Sequence, residues 1–450
     1  MVHGTSADVV VVGGGVAGLT AAHDLRRSGQ RVLVLEGGEQ IGGRVRSVAV
    51  NGHVVEAGAA FVTPFYASTL RLMDELGVSG RLSEYNQGTY VVRDGTLRPI
   101  LPGSKLLAGS AVGASAKLRL CRFAGGLAAR WRALDIADLA RADHLDVMSC
   151  ADFLRRRAGS ENLEYLFGPL LRGMLYWDAE TTSYPVLLAI LKAHATAGAS
   201  RRVRGGLARF PQALAAGVEV RTGTTVRRIR RETSGDFSIE ADTGDGITTY
   251  RAPAVVCATT AGEAATILPD LPEPALAYLR SISYGRTAVL TFAVRAASAT
   301  FPDGSVLFPA AEAPEIAAVN AYLRLAPADG ADEERLVHVY LSGEGFDRHA
   351  GRPDDILAEA VVGRLREVLG PVDWLRGAEL RNVQRWERAL PRFDVGHVRR
   401  TREFTDAQPA QPGLAFAGDY LGGPYLDGAV RSGLAAARQL RPAVSEKEPA

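Results

Sequence analysis

The chain has 450 residues, with 52 basic against 50 acidic side chains, a formal net charge of +2 and 47% hydrophobic content. That is the composition of an ordinary globular protein with a large core, and it excludes dominant disorder, a fibrous repeat and an electrostatic case for a nucleic-acid partner. Only four of the basic residues are lysines (Lys105, Lys117, Lys192 and Lys447), and none follows a phosphate-cradling glycine loop, so an NTPase of the P-loop type is excluded.

The length predicts two or three domains. The three cysteines, Cys121, Cys150 and Cys257, are too few and too widely spaced for a zinc site or a disulfide framework, which fits a reducing, cytoplasmic compartment. No metal-ligating motif is present, and no apolar run is long enough to span a membrane as a helix.

Taken in order, Asp8 to Val12 reads as a short, fully buried strand, because its valines show no polar alternation. It runs into Gly13-Gly14-Gly15-Val16-Ala17-Gly18, then a helix carrying Leu19, Ala22 and Leu25, then a second apolar strand, Arg31 to Leu35, ending in Glu36. In such a unit Gly13 makes the tight turn, Gly15 lets a pyrophosphate approach the backbone, and Gly18 lets helix and strand pack closely. The N–H groups of the helix N-terminus face the phosphates, and the Glu36 carboxylate accepts from a ribose hydroxyl. Strand, turn, helix, strand and acid together predict a bound dinucleotide.

Past Gly37, the run Gly42-Gly43-Arg44 resembles the flavin-containing amine oxidoreductase superfamily, which includes amine oxidases, protoporphyrinogen oxidases and carotenoid desaturases. The resemblance implies FAD, with Gly43 and Arg44 beside the pyrophosphate and flavin. Val54 to Phe61, including Gly58, Ala59 and Ala60, is similar to the segment that passes the flavin ring. A later stretch, Arg204 to Ile229, is similar to a second FAD-contacting piece in which the residue at Val226 meets the adenine through its backbone. Near the end, Leu414 to Asp419 reads as a buried strand closing on Gly418 and Asp419, and Gly428 and Ala429 begin the last helix. A helix N-terminus at that point also has a physical rationale, because a flavin accepting a hydride gains negative charge that the helix dipole stabilises.

The implied fold is an α/β, Rossmann-like FAD-binding domain of residues 7–80, 203–267 and 405–442, interleaved with an α+β substrate domain of 81–202 and 268–404. Residues 443–450 read as a frayed tail. The stretches Ala151 to Tyr176 and Arg385-Trp386 to His397 resemble the protoporphyrinogen oxidase branch most. No lysine follows Tyr284-Gly285 where amine oxidases carry one, and no cysteine follows Cys257, so FAD is expected to be non-covalent. Gly58-Ala59 departs from the glycine-proline of porphyrinogen oxidases, which leaves another cyclic or apolar metabolite open as the substrate.

The expected activity is hydride removal from such a small molecule by C–C desaturation or porphyrinogen-type oxidation, with O2 or another acceptor taking the electrons. Amine oxidation, and a flavin-binding protein or isomerase without net redox turnover, are the alternatives. Tyr425 and Trp386 are the candidate catalytic residues, with Phe61 and His397 behind them. Between Gly95 and Leu134 there are seven basic residues and no acidic one, interleaved with Phe123, Trp131 and leucines. This suits either a basic helix face in solution or peripheral contact with a membrane.

Overall fold

The four valines Val9–Val12 form the central strand of a five-stranded parallel sheet and are at most 3% exposed. Its strands run in the order Leu414–Phe416, Ala254–Cys257, Val9–Val12, Val32–Leu35, Glu219–Arg221, so three distant parts of the chain meet in one sheet. The computed structural model describes residues 7–50, 53–85, 88–101, 103–128, 132–295, 302–324, 334–370, 377–407 and 411–441.

Both faces of the sheet are covered, which is why its strands other than the edge strand Glu219–Arg221 lack polar alternation. Val9, Val11 and Val34 pack under the helix Val16–Arg27 and the last helix, Leu426–Leu440. Val10, Val12 and Leu33 pack against a three-stranded antiparallel sheet (Thr225–Arg231, Phe237–Asp242, Ile247–Ala252) and the helices Ala261–Ile267 and Glu273–Ser281. The two long helices cross closely: a Cβ at Gly433 would lie 2.3 Å from the Ala17 carbonyl oxygen.

The second half of the molecule is built on a seven-stranded sheet ordered Glu379–Trp386, Thr287–Arg295, Glu334–Leu341, Ile316–Arg324, Gly304–Leu307, Gly88–Arg93, Thr96–Pro99. Helix Asp354–Leu369 covers one face through Leu357, Val361 and Leu365. The other face meets Leu170, Tyr176 and Trp386 through Val289, Ala318 and Tyr340.

A helical block adjoins this sheet. Ser149 caps Cys150–Arg157 by accepting from the Asp152 N–H at 3.1 Å, as the sequence pattern predicts. Ahead of Gly168-Pro169 the helical run passes through a π-helical turn, Leu163–Phe167, before helix Gly168–Leu175. Helix Tyr184–Thr196 follows, and Tyr184 stacks on Phe153 with ring centroids 4.2 Å apart. Strand Ser200–Val203, which pairs with Leu82–Tyr85, continues past the expected limit at 202, and helix His397–Ala407 continues past the one at 404.

The basic stretch is not one helix. It comprises the strand Thr96–Pro99, a 3-10 turn at Gly103–Ala108 and the helix Ala114–Ala128. Arg130 and Trp131, like Lys447, residues 443–450 and most of the acidic run Asp329 to Glu334, lie outside the described residues. Among the described residues no helix is long and apolar enough to cross a membrane.

Candidate active site

The strand Val9–Val12 delivers the chain into a turn that requires its glycines. Gly13 has φ +108°, a left-handed conformation, and a Cβ on Gly18 would sit 2.0 Å from the Gly13 carbonyl oxygen. Gly15 opens on empty space, with nothing within 4 Å of its would-be Cβ, and no side chain caps the helix that it begins. That is the form of a phosphate cradle, with small residues and unclaimed helix N–H groups in front of it.

Glu36 leaves its strand and accepts from the Gly14 N–H at 2.6 Å and the Gly38 N–H at 2.8 Å. Each carboxylate oxygen keeps a second lone pair for a ribose hydroxyl. The Glu36 to Gly38 backbone also receives the Thr224 and Gly223 N–H groups, which seats the start of the Val226 strand beside Gly37. Gly42 and Gly43, both left-handed, bring the chain back against Gly15.

Arg44 then points to the far end of the parallel sheet, where it forms a bidentate pair with Asp419 at 2.6 and 2.9 Å and donates to the Ala389 carbonyl at 2.9 Å. Asp419 is almost wholly buried and Arg44 about one third exposed. Burial opposes the Arg44 charge, but the Asp419 carboxylate outweighs it and leaves the guanidinium above its ordinary pKa. The segment from Glu56 runs beside Arg44, with the Ala59 N–H bonded to the Arg44 carbonyl at 3.0 Å. Trp386 donates its indole N–H to the Ala57 carbonyl at 2.7 Å, and its ring lies 3.3 Å from a would-be Cβ at Gly58. Trp386 thus clamps the Gly58-Ala59-Ala60 segment.

Tyr425 is the N-cap residue of the last helix and makes no side-chain cap bond, so the first-turn N–H groups around Gly428 are free of one. Its ring sits in an aromatic box. Phe65 lies 5.6 Å from Tyr425, 5.1 Å from Tyr66 and 5.0 Å from the imidazole of His194. Tyr66 and His194 lie 5.6 and 6.5 Å from Tyr425. A small pocket joins this box to the helix terminus, lined by Phe65, Tyr66, Ile136, Gly423, Tyr425 and Arg431 among others.

Phe65 and Tyr66, which join Tyr425 in the box, are not among the residues singled out from the sequence. Their signal was present, since both follow the flavin-passing segment within five residues of Phe61. His194 gave none, because it lies in an apolar helical run. His397 is displaced from the candidate list: it is buried, 3.1 Å from the Tyr420 carbonyl, in the core beneath the site. Phe61 is partly buried, four residues before Phe65. Lys192 donates to the Leu134 carbonyl at 2.8 Å and so secures the segment that carries Ile136. Among the described residues no cluster could hold a metal ion.

A doubly covered parallel sheet, a glycine turn opening its first helix and an acid at the end of its second strand define an α/β dinucleotide-binding protein, here joined to a sheet-and-helix partner half. The chain matches the family of flavin-containing amine oxidoreductases over residues 16–441 and belongs to it; it is an FAD-dependent oxidoreductase. It is 24% identical to the coproporphyrinogen III oxidase of Bacillus subtilis, over 95% of this chain and 96% of that protein. To the putrescine oxidase of Kocuria rosea it is 33% identical, over 54% of this chain and 53% of that one. The structure of a putrescine oxidase bound to putrescine superposes with a TM-score of 0.77 at 20% identity, over 98% of this chain and 99% of that one.

Proposed function

We propose that this protein removes a hydride from a carbon of a cyclic, largely apolar metabolite, with porphyrinogen-type oxidation ahead of amine oxidation. The observation that carries this reading is the character of the Tyr425 box. Its walls are aromatic rings, and Asp427, the acid that lines the adjoining pocket, already accepts through Oδ1 from the Thr69 N–H and hydroxyl at 2.7 and 2.9 Å. Among the described residues that line this pocket there is no other acid, and Lys192 is turned to a carbonyl. Sequence similarity to a coproporphyrinogen III oxidase along nearly the whole chain supports the same reading; the sequence match to a putrescine oxidase spans about half, and the structural likeness to one, over nearly the whole chain, shows the shared fold.

The residues fit FAD. The turn Gly13 to Gly18 would take the pyrophosphate, Glu36 and Gly37 the adenosine end with the Val226 backbone, and Gly43, Arg44, Gly58 to Ala60, Gly418 and Asp419 the flavin end, all without a covalent link. When bound, FAD supplies the hydride acceptor. The protein contributes the rest. The first turn of the last helix, at Gly428 and Ala429, places the positive end of a helix dipole at the site, Trp386 holds the Gly58 segment, and the Phe65 and Tyr425 rings orient the substrate and exclude water. Residues 7–80, 203–267 and 405–442 form the cofactor half in this reading. O2 or another acceptor reoxidises the cofactor. Exposed Leu118, Arg119 and Arg122 on helix Ala114–Ala128 support a peripheral contact with anionic lipid.

The test is anaerobic titration of the FAD-loaded protein with coproporphyrinogen III, protoporphyrinogen IX, phytoene and putrescine while flavin absorbance is followed. Bleaching by a porphyrinogen is expected. Bleaching by putrescine alone makes the enzyme an amine oxidase, and absence of flavin bands after reconstitution removes the cofactor assignment.

A further inference from the structure

Two helix heads converge beside the Tyr425 box, and one carboxylate serves both. The helix Ala67–Glu75 starts immediately after Phe65 and Tyr66, and the last helix starts immediately after Tyr425. The first of these lacks the usual means of closing its N-terminus. Its N-cap residue, Tyr66, makes no side-chain cap bond, and no acidic residue stands in its first turn. Asp427, in the first turn of the last helix, supplies both from 358 positions away. Its Oδ1 accepts from the Thr69 N–H at 2.7 Å, the donor that an N-cap side chain ordinarily satisfies, and from the Thr69 hydroxyl at 2.9 Å. Thr69 and Asp427 are both buried. The contact therefore docks the corner that carries Phe65 and Tyr66 on the head that carries Tyr425.

The same carboxylate has a second effect. It lines the pocket at the head of the last helix together with Gly428. That head is fixed in place, since a Cβ on Gly428 would lie 2.1 Å from the Gly423 carbonyl oxygen. The first turn carries the positive end of the helix dipole, and a carboxylate within it offsets that charge. Arg431, one turn further on, lines the same pocket but donates to the Ile136 carbonyl at 3.5 Å, and among the described residues Asp427 forms no ion pair. A hydride brings negative charge to the flavin end of FAD, so the helix N–H groups there favour reduction and the carboxylate opposes it.

We infer that Asp427 is a positioning residue with two roles. It caps the helix Ala67–Glu75 from the last helix and so holds the aromatic corner in place, and its charge lowers the reduction potential of bound FAD below the value that the helix head alone would set. This rests on the reading that places the flavin end of FAD at Gly428 and Ala429, and adds to it a control on the cofactor. Substitution separates the two roles. Asn keeps an oxygen acceptor for Thr69 and loses the charge, whereas Ala loses both.

The experiment compares wild type, Asp427→Asn and Asp427→Ala, each loaded with FAD. Reduction potential is measured by equilibration with a reference dye, while melting temperature and hydrogen exchange over residues 66–72 report on the cap. In Asp427→Asn the ratio of reduced to oxidised flavin at a fixed potential should rise about tenfold, the effect of one unit charge on another over about 10 Å at an effective dielectric of about 20. For a two-electron couple that is about 30 mV. Its melting temperature and exchange should stay near those of the wild type. Asp427→Ala should show a similar rise in potential together with a lower melting temperature and faster exchange over 66–72. An unchanged or lowered potential in FAD-loaded Asp427→Asn overturns the inference, as does loss of fold or of flavin in that variant, because the charge would then be a requirement of folding rather than a control on potential. Wild-type exchange and melting in Asp427→Ala overturn the capping role. If Asp427→Ala fails to fold, the capping role stands and Asp427→Asn alone decides the potential. Wild-type protein without flavin bands after reconstitution defeats the cofactor assignment itself, and the wild-type spectrum tells that failure apart from the others.

Discussion

At the scale of single residues, the Arg44–Asp419 pair holds the site together. The two lie 375 positions apart, and their bidentate contact ties the loop after the second strand to the end of the last one. Arg–carboxylate geometry of this kind is specific as well as strong. Asp419 is 5% exposed, so removal of its partner strands a buried charge. Arg44→Gln should therefore destabilise the protein by about 3 kcal/mol, the lower end of the range for breaking a buried pair. Thermal melts and the flavin-to-protein absorbance ratio check this, and an unchanged melting point would show that Asp419 finds another partner. Each residue of the pair is legible in the sequence through its motif, but their mutual contact is not, since no local signal joins positions so far apart.

At the scale of elements, the first and last helices cross where Gly433 meets Ala17, which places the middle of the last helix beside the glycine turn and its head about 10 Å further along. The helix Ala114–Ala128 shows a different division of faces. Ala116 is buried, and Leu120 and Phe123 pack on the helical core, while Leu118 is 55% exposed with Arg119 and Arg122 alongside. One apolar side chain flanked by cations suits the interface of an anionic bilayer. Sedimentation with phosphatidylserine-rich vesicles should pellet the protein at low salt and release it at high salt, and Leu118→Glu should abolish pelleting. Recovery in the supernatant under all conditions disposes of the lipid contact. The sequence shows the basic excess here but not how the charges divide among a strand, a 3-10 turn and a helix, because that depends on which side chains the neighbouring core accepts.

At the scale of the whole molecule, two buried histidines couple folding to pH. His338 bonds to Thr291 at 3.0 Å within the seven-stranded sheet, and burial followed by Arg202 lowers its pKa to about 4. His397 sits under the site, and burial followed by Arg400 lowers its pKa to about 3. Unfolded, both titrate near the ordinary value of about 6.5. Below that pH the unfolded chain takes up protons that the folded chain refuses, so stability present at neutral pH is lost as pH falls towards the folded values. The melting temperature should fall steadily from pH 7 to pH 4, and His338→Gln should flatten part of that slope. A melting temperature independent of pH over this window contradicts the burial of both rings as neutral groups.

The sequence by itself determined the cofactor half of this protein. The valine strand, the glycine turn, Glu36, Gly42-Gly43-Arg44 and the Gly418-Asp419 end were all legible, because backbone conformation and phosphate approach restrict residue type locally, and local restrictions leave motifs. Tyr425 was legible as well, by its fixed offset from the head of the last helix. Only the tertiary structure decided what surrounds it. Phe65, Tyr66 and His194 come from two other segments, Trp386 became a clamp on the Gly58 segment, and His397 went into the core. Aromatic walls of this kind are assembled by packing between distant elements, and packing constrains volume and polarity without fixing any local pattern. The lysine scarcity of the opening composition acquires its meaning there too: Lys192 lies two residues from His194, with its ammonium held by a backbone carbonyl.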